Sequence, residues 1–189
     1  LDAHRKWATT AEELEPLMTN NKRLVAEMLE KIPNREIAIK LLEEEDHVIR
    51  CFAAKTLANS ESLHAKLASD EHHSVRIIAA ENSNDEKLIS SLIDDNHSAV
   101  RKAAISTASR KEMKLNEDVL RNALKSGDSS LRSLIGSMAV KLGGDILEIA
   151  CGDSDPKVRK SIADSLREYV DVVDSRIENI ATISPEIIV

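Results

Sequence analysis

The sequence predicts an all-α chain of about five two-helix repeats stacked as a solenoid. Three observations predict it: an arginine-headed segment recurs along the chain, apolar residues follow each arginine at helical spacing, and residues that punctuate β structure are scarce. Glycine occurs 5 times and proline 4 times in 189 residues, too few for a chain that must turn every few residues. Aromatic residues make up 2% (Trp7, Phe52 and Tyr169), so Leu, Ile, Val and Ala must fill the core in place of large rings. Such side chains suit thin layers of closely approaching helices.

The recurring segments are Asp46-His47-Val48-Ile49-Arg50, His72-His73-Ser74-Val75-Arg76, His97-Ser98-Ala99-Val100-Arg101, Asp128-Ser129-Ser130-Leu131-Arg132 and Asp155-Pro156-Lys157-Val158-Arg159. Their arginines (50, 76, 101, 132, 159) are 26, 25, 31 and 27 residues apart. Three and four positions after each arginine stand Ala53-Ala54, Ala79-Ala80, Ala104-Ile105, Ile135-Gly136 and Ile162-Ala163. Seven positions after stand Leu57, Ser83, Ala108, Ala139 and Leu166. With the aliphatic residue before the arginine, these form one apolar stripe of a helix. Ser83 is the weak member, and a short second arginine helix is expected there.

From the N-terminus onward, Thr10-Ala11-Glu12-Glu13 is a capping-box pattern opening a short helix. Leu24 to Ile32, ending at Pro33, predicts a capping helix. The second helical run of each repeat is predicted at Arg35–Glu44, Glu61–Ala68, Asp85–Ile93, Glu117–Lys125 and Asp145–Ala150. Asn34, Ser60, Asn84 and Asn116 are the expected caps of four of these runs, and Gly143-Gly144 stops the helix before the fifth. For the arginine helices, Asp46, Asp128 and Asp155 are expected to accept from free backbone N–H groups, with Pro156 suited to the first helical position. In the second and third segments His72 and His97 occupy the aspartate's place, and Asp70 and Asp95 just upstream are the candidate caps. Val172 to Ile183 predicts a last helix. The organisation is therefore residues 1–33 as N-terminal cap helices, 34–170 as repeats, and 171–189 as a C-terminal helix or incomplete repeat. A two-helix unit of under about 45 residues cannot bury its apolar face alone, so neighbours must stack.

These residues resemble HEAT-like repeats of the short bacterial type. The pattern Asp-Pro-x-Val-Arg-x-x-x-Ala is matched best from Asp155 to Ala163. Val75-Arg76-Ile77-Ile78-Ala79-Ala80-Glu81-Asn82, followed by Leu88, Leu92 and Asp94, is similar to leucine-rich-repeat-variant units. The resemblance implies a right-handed α-α superhelix, first helices convex and second helices concave. It also implies a ladder of Asp–Arg hydrogen bonds between successive repeats, which makes Arg50, Arg76, Arg101, Arg132 and Arg159 structural. The rival reading, a basic stripe for phosphate, would need them exposed and unpaired. Some leucine-rich-repeat-variant proteins hold an iron–sulfur cluster on clustered N-terminal cysteines. This chain has none there, and no cofactor is expected.

The net charge of −7 repels phosphate backbones and argues against a nucleic-acid partner. No segment is apolar enough to span a bilayer, and no signal peptide opens the chain, so a cytoplasmic location is expected. Cys51 and Cys151 lack C-x-x-C spacing and are expected as reduced thiols. Asn96-His97-Ser98 matches the glycosylation pattern by accident on this reading. There is no glycine-rich phosphate loop, His-Glu-x-x-His or Gly-x-Ser-x-Gly. His47, His72, His73 and His97 lie in corresponding turns and raise a metal or pH-sensing role. Repeats stack roughly 10 Å apart and metal ligands lie about 2 Å from the ion, so residues of different repeats are not expected to share one, and no metal is expected.

Partner contacts are expected where the arginine helices leave their apolar stripe. One position after each arginine stand Cys51, Ile77, Lys102, Ser133 and Lys160. Five positions after stand Lys55, Glu81, Ser106, Ser137 and Asp164. Phe52 and Ile78 are expected half exposed. The concave candidates are therefore Phe52, Lys55, Ile77, Glu81, Lys102, Ser106, Ser133 and Lys160. Apolar anchors with a polar rim suit a protein or peptide, although Phe52, Ile77 and Ile78 could equally pack between repeats. The acidic turns (Glu43-Glu44-Glu45-Asp46, Asp70-Glu71, Asp94-Asp95, Asp153 and Asp155) form a second candidate surface or a merely solvated edge. The favoured function is a non-catalytic scaffold or adaptor. The alternative is a HEAT-like enzyme or enzyme subunit: a chromophore lyase, a hydroxylase or a DNA glycosylase-like protein. Against the hydroxylase, the chain contains Glu71-His72 but no His-Glu pair. Against the glycosylase, base-stacking aromatics are missing. The sequence leaves the oligomeric state open.

Overall fold

The computed structural model describes residues 10–168 together with Ile180 and Thr182. It is all-α: twelve α-helices and one 3-10 segment, with no strand among the described residues. Trp7, Tyr169 and the expected helix from Val172 to Ile183 lie outside the described residues, except Ile180 and Thr182, which are both helical. No described helix is long and apolar enough to cross a membrane. The chain divides into two compact units, Leu1–Asn84 and Asp85–Val189.

In the first unit, α1 (Ala11–Leu14) begins at Thr10, whose backbone N–H donates to the Glu13 carboxylate at 2.9 Å. A 3-10 segment, Glu15–Thr19, carries Pro16 at its start. Then follows α2 (Lys22–Met28), capped by Asn21, which accepts from the Leu24 N–H. It is shorter than the expected run to Ile32. Asn34 caps α3 (Arg35–Leu41) through the Ile37 N–H. The first arginine helix is α4 (His47–Thr56), then α5 (Glu61–Ala68) and the second arginine helix α6 (His73–Asn82). Helix α4 packs on α2, α3 and α6, and α5 packs on α6. The chain leaves α6 at Ser83, which is extended and fully buried.

In the second unit, α7 (Glu86–Ile93) precedes the arginine helix α8 (Ser98–Arg110), α9 (Glu117–Leu124) precedes α10 (Ser129–Leu142), and α11 (Gly144–Cys151) precedes α12 (Pro156–Glu168). Helix α10 packs on α8 on one side and α12 on the other. Asp85, not Asn84, caps α7 by accepting from the Lys87 and Leu88 N–H groups. Gly143 ends α10 with φ of 70°, a conformation that a side chain would strain.

The predicted stripe is the core of both units. The residue before each arginine (Ile49, Val75, Val100, Leu131, Val158) is buried, as are Ala53, Ala79, Ala104, Ile135 and Ile162 three positions after it. The stripe fades at the end, where Ala163 and Leu166 are half-buried. The small residues permit close approach: a Cβ on Gly136 of α10 would sit 2.5 Å from Ser161 Oγ and 3.2 Å from the Val158 carbonyl of α12.

Capping by Asp46, Asp128 and Asp155 follows the local rule, through the N–H groups of Val48, Ser130 and Lys157. The histidine-headed helices do not use the upstream aspartates for this. His72 Nδ1 accepts from the Ser74 N–H and His97 Nδ1 from the Ala99 N–H, each at 3.3 Å. Asp70 and Asp95 instead accept from the histidines' own N–H groups at 2.8 Å. An imidazole nitrogen stands two bonds from Cβ, as a carboxylate oxygen does, so it reaches the same backbone donor. That geometry requires an unprotonated Nδ1.

Candidate protein-binding face

In each unit the arginines border the candidate surface. Arg50 is 5% exposed, and all of its guanidinium nitrogens are used. Nε and NH2 donate to the two Asp70 oxygens at 2.8 and 2.9 Å, NH2 also to Glu71 at 3.0 Å, and NH1 to the Glu44 and Glu45 carbonyls at 2.8 Å. Arg132 makes the same fork on Asp153, with Nε at 2.7 Å and NH2 at 3.2 Å, while NH1 donates to the Ser126 carbonyl. Arg76 is buried, and its NH1 donates to the Asp70 and Glu71 carbonyls at 2.9 Å. Arg101 NH1 donates to the Asp95 and Asn96 carbonyls, and Arg159 NH1 to the Asp153 carbonyl. Each of these five arginines thus clamps the turn that precedes its own helix. Burial alone would push the Asp70 carboxyl up, but the hydrogen bonds from Arg50 and the His72 N–H together hold it below its ordinary value. The hydrogen bond to Asp70 raises Arg50 further. Guanidiniums engaged in this way are poorly placed to contact phosphate.

Beside this edge three imidazoles gather. The His47 and His72 rings stack with centroids 3.7 Å apart, and His73 lies 4.4 Å from His72. The rings of corresponding turns thus touch although their helices are a full diameter apart. Among the described residues, however, no three His, Cys, Asp or Glu side chains converge as metal ligands. Burial, then the charges of His47 and His73, lower the His72 pKa. Asp70 opposes the shift and Arg50 adds to it. A base with a depressed folded pKa binds fewer protons folded than unfolded. Its contribution to stability is complete above its ordinary value of 6.5 and is lost as pH falls toward the lowered folded value. The melting temperature should therefore drop as pH falls below 6.5, and His47→Ala should flatten that drop in a differential scanning fluorimetry series. An unaltered slope in the variant would show that the stack is not its source.

The outward positions of α4 and α6 adjoin the stack. His47, Val48, Cys51, Phe52, Lys55 and Ser74 line a cleft of about 240 Å³. Phe52 is half-buried, and Lys55 places Nζ 5.3 Å from its ring centroid and 3.6 Å from Glu30. Burial raises the pKa of the half-buried Cys51 thiol, which keeps it protonated and a poor nucleophile. Ile77 is half-buried and Glu81 exposed. Ile78 is 6% exposed, so the expectation of half exposure is corrected: it points toward the core side of α6.

In the second unit the candidates are more polar. Lys102 is half-buried with Nζ 3.3 Å from Asp128. Ser106 is exposed and Ser133 half-buried. The exposed Ser137 hydroxyl donates to the Leu134 carbonyl at 2.7 Å, and Lys160 pairs with Asp164 at 2.6 Å on the same helix. The structure thus brings Phe52 and Lys55 together around one cleft, while Lys102 and Lys160 each engage an aspartate. Much of the acidic edge is committed to structure. Glu44 binds Lys22 at 2.8 Å, Glu43 binds Lys66, and Asp70 and Asp153 hold arginines. Sequence reasoning missed His64, which is 3% exposed and donates from Nε2 to the Ala58 carbonyl at 2.6 Å. Its spacing within α5, three residues before the buried Leu67, was the available signal. No protein-family model matches the chain, and no curated protein matches it.

Proposed function

We propose that the chain is a HEAT-like scaffold, a right-handed α-α superhelix of short repeats that binds a protein or peptide and carries out no catalysis of its own. The observation that carries this reading is the repeated clamp: a buried or half-buried arginine gripping its own preceding turn, and in two cases forking onto a carboxylate of the next. Such clamps fix helix pairs in register and free the other side of α4 and α6 for contact. The cleft at Phe52 and Lys55 offers an apolar floor with a cationic rim, the kind of surface that anchors a partner. A cytoplasmic adaptor would use it with Ile77 and Glu81; within the second unit Lys102, Ser106, Ser133 and Lys160 are the more polar candidates, for contacts of lower energy.

The test combines photo-crosslinking from position 55 with competition by Phe52→Ala/Ile77→Ala/Lys102→Ala. A partner captured by the parent chain should be lost from the triple variant, with helicity and melting temperature retained. Each half-buried anchor should be worth about 1–2 kcal/mol, hence a loss of at least tenfold in affinity. Undiminished capture by a folded triple variant would rule out this face. Elution of stoichiometric metal, or turnover of a bilin or nucleic-acid substrate, would favour the enzyme reading instead.

A further inference from the structure

The forked arginines follow one register. Arg50 pairs with Asp70, six residues before Arg76, and Arg132 pairs with Asp153, six residues before Arg159. For Arg101 the corresponding residue, six before Arg132, is Ser126. A serine is too short and carries no charge to complete the fork. The consequence is visible in two orphan atoms: Arg101 Nε and Ser126 Oγ are both buried, and neither has a hydrogen-bond partner. Asp128 does not replace the lost carboxylate. Its Oδ1 caps α10 through the Ser130 and Leu131 N–H groups. Its Oδ2 lies 3.8 Å from Arg101 NH2, too long for a hydrogen bond, and is approached more closely by Lys102 Nζ at 3.3 Å. The same stretch holds the longest arginine spacing, 31 residues, and Glu112 within it adopts φ of 52°, a left-handed conformation costly for a residue with a Cβ.

We propose that the junction between α8 and α10 is a hinge built into the second unit, where the arginine helices part first because the carboxylate rung is missing. By contrast, α10 and α12 are held by the Arg132–Asp153 fork, by the Ser165 hydroxyl donating to the Ser137 carbonyl at 2.6 Å, and by the close approach at Gly136. Lys102 and Ser106 stand on α8 and Ser133 on α10, so movement at this joint changes the spacing between them. The hinge does not depend on the scaffold reading, since it is a property of the free chain.

Native-state hydrogen exchange on the full chain, read by mass spectrometry, tests it. Backbone amides around Ser126 and the start of α10 should exchange faster than those around Asp153 and the start of α12. Ser126→Asp supplies the missing carboxylate and should slow exchange at the α8–α10 junction by about tenfold or more, the effect of one charge-assisted hydrogen bond. Ser126→Ala removes the orphan hydroxyl without adding the rung and should leave the junction fast. Asp153→Ser transplants the gap and should bring fast exchange to the α10–α12 junction. Equal exchange at the two junctions of the parent chain would overturn the hinge, as would an Asp153→Ser variant whose α10–α12 junction stays protected. If Ser126→Asp does not fold, these two measurements decide the matter without it.

Discussion

Asp70→Ala should destabilise the first unit by about 3 kcal/mol, the lower end of the range for breaking a buried ion pair. The side chains of Arg50 and Asp70 are only 6% and 12% exposed, so alanine leaves a guanidinium charge in a site that water reaches poorly. The loss stays at the low end because Glu71 and the Glu44 and Glu45 carbonyls still receive three of the guanidinium hydrogen bonds. A domain has about 5–15 kcal/mol in total, so urea unfolding should show a large shift in midpoint. Replacing Arg50 with Met in the same background should recover part of the loss, because the unpaired charge is then gone. The exposed pair Lys40–Glu15, at 2.5 Å, has a shorter contact but should matter far less, since water screens both partners. The effect of Asp70→Ala should also fade in acid. The carboxyl titrates below its ordinary 3.8, so its contribution is present above that value and disappears as pH falls through the lowered one. A variant as stable as the parent at neutral pH would mean that the fork contributes nothing to folding.

Gly136→Ala should cost about 1–3 kcal/mol by overpacking the α10–α12 contact. Two effects oppose each other here. Alanine is the better helix former by about 1 kcal/mol, and in an open helix that gain would win. At this position the new methyl would meet Ser161 Oγ at 2.5 Å and the Val158 carbonyl at 3.2 Å. The hydroxyl cannot simply swing away, because it donates to the Val158 carbonyl at 2.6 Å, and the carbonyl belongs to backbone. Steric cost should therefore exceed propensity. Adding Ser161→Ala removes the closer clash and should restore part of the stability, which a double-mutant cycle would register as a coupling between positions 136 and 161. Stabilisation by the single substitution would show that the helices move apart freely.

The sequence by itself determined the elements and the inner face of each. The helices start where Asn34, Asp46, Asn116, Asp128 and Asp155 offer an oxygen to the first turn, and the stripe Val100, Ala104, Ala108 is buried as a period of 3.6 requires. These features depend on atoms within about four residues of one another, so their pattern in one dimension is sufficient. Some local choices escaped it: the histidine caps were hidden because the imidazole substitutes for a carboxylate only in one tautomer. Tertiary structure decided what lies farther apart in sequence. That Ile78 is buried while Ile77 is only half-buried depends on which helix covers α6. That His47 meets His72 across 25 residues depends on how closely α4 and α6 pack. The absence of a carboxylate at Ser126 acquired meaning only once Arg50 and Arg132 were seen gripping the residue at that register. Hydrogen bonds and ring contacts fall away within an ångström or two, a tolerance that periodicity cannot supply and that packed side chains set.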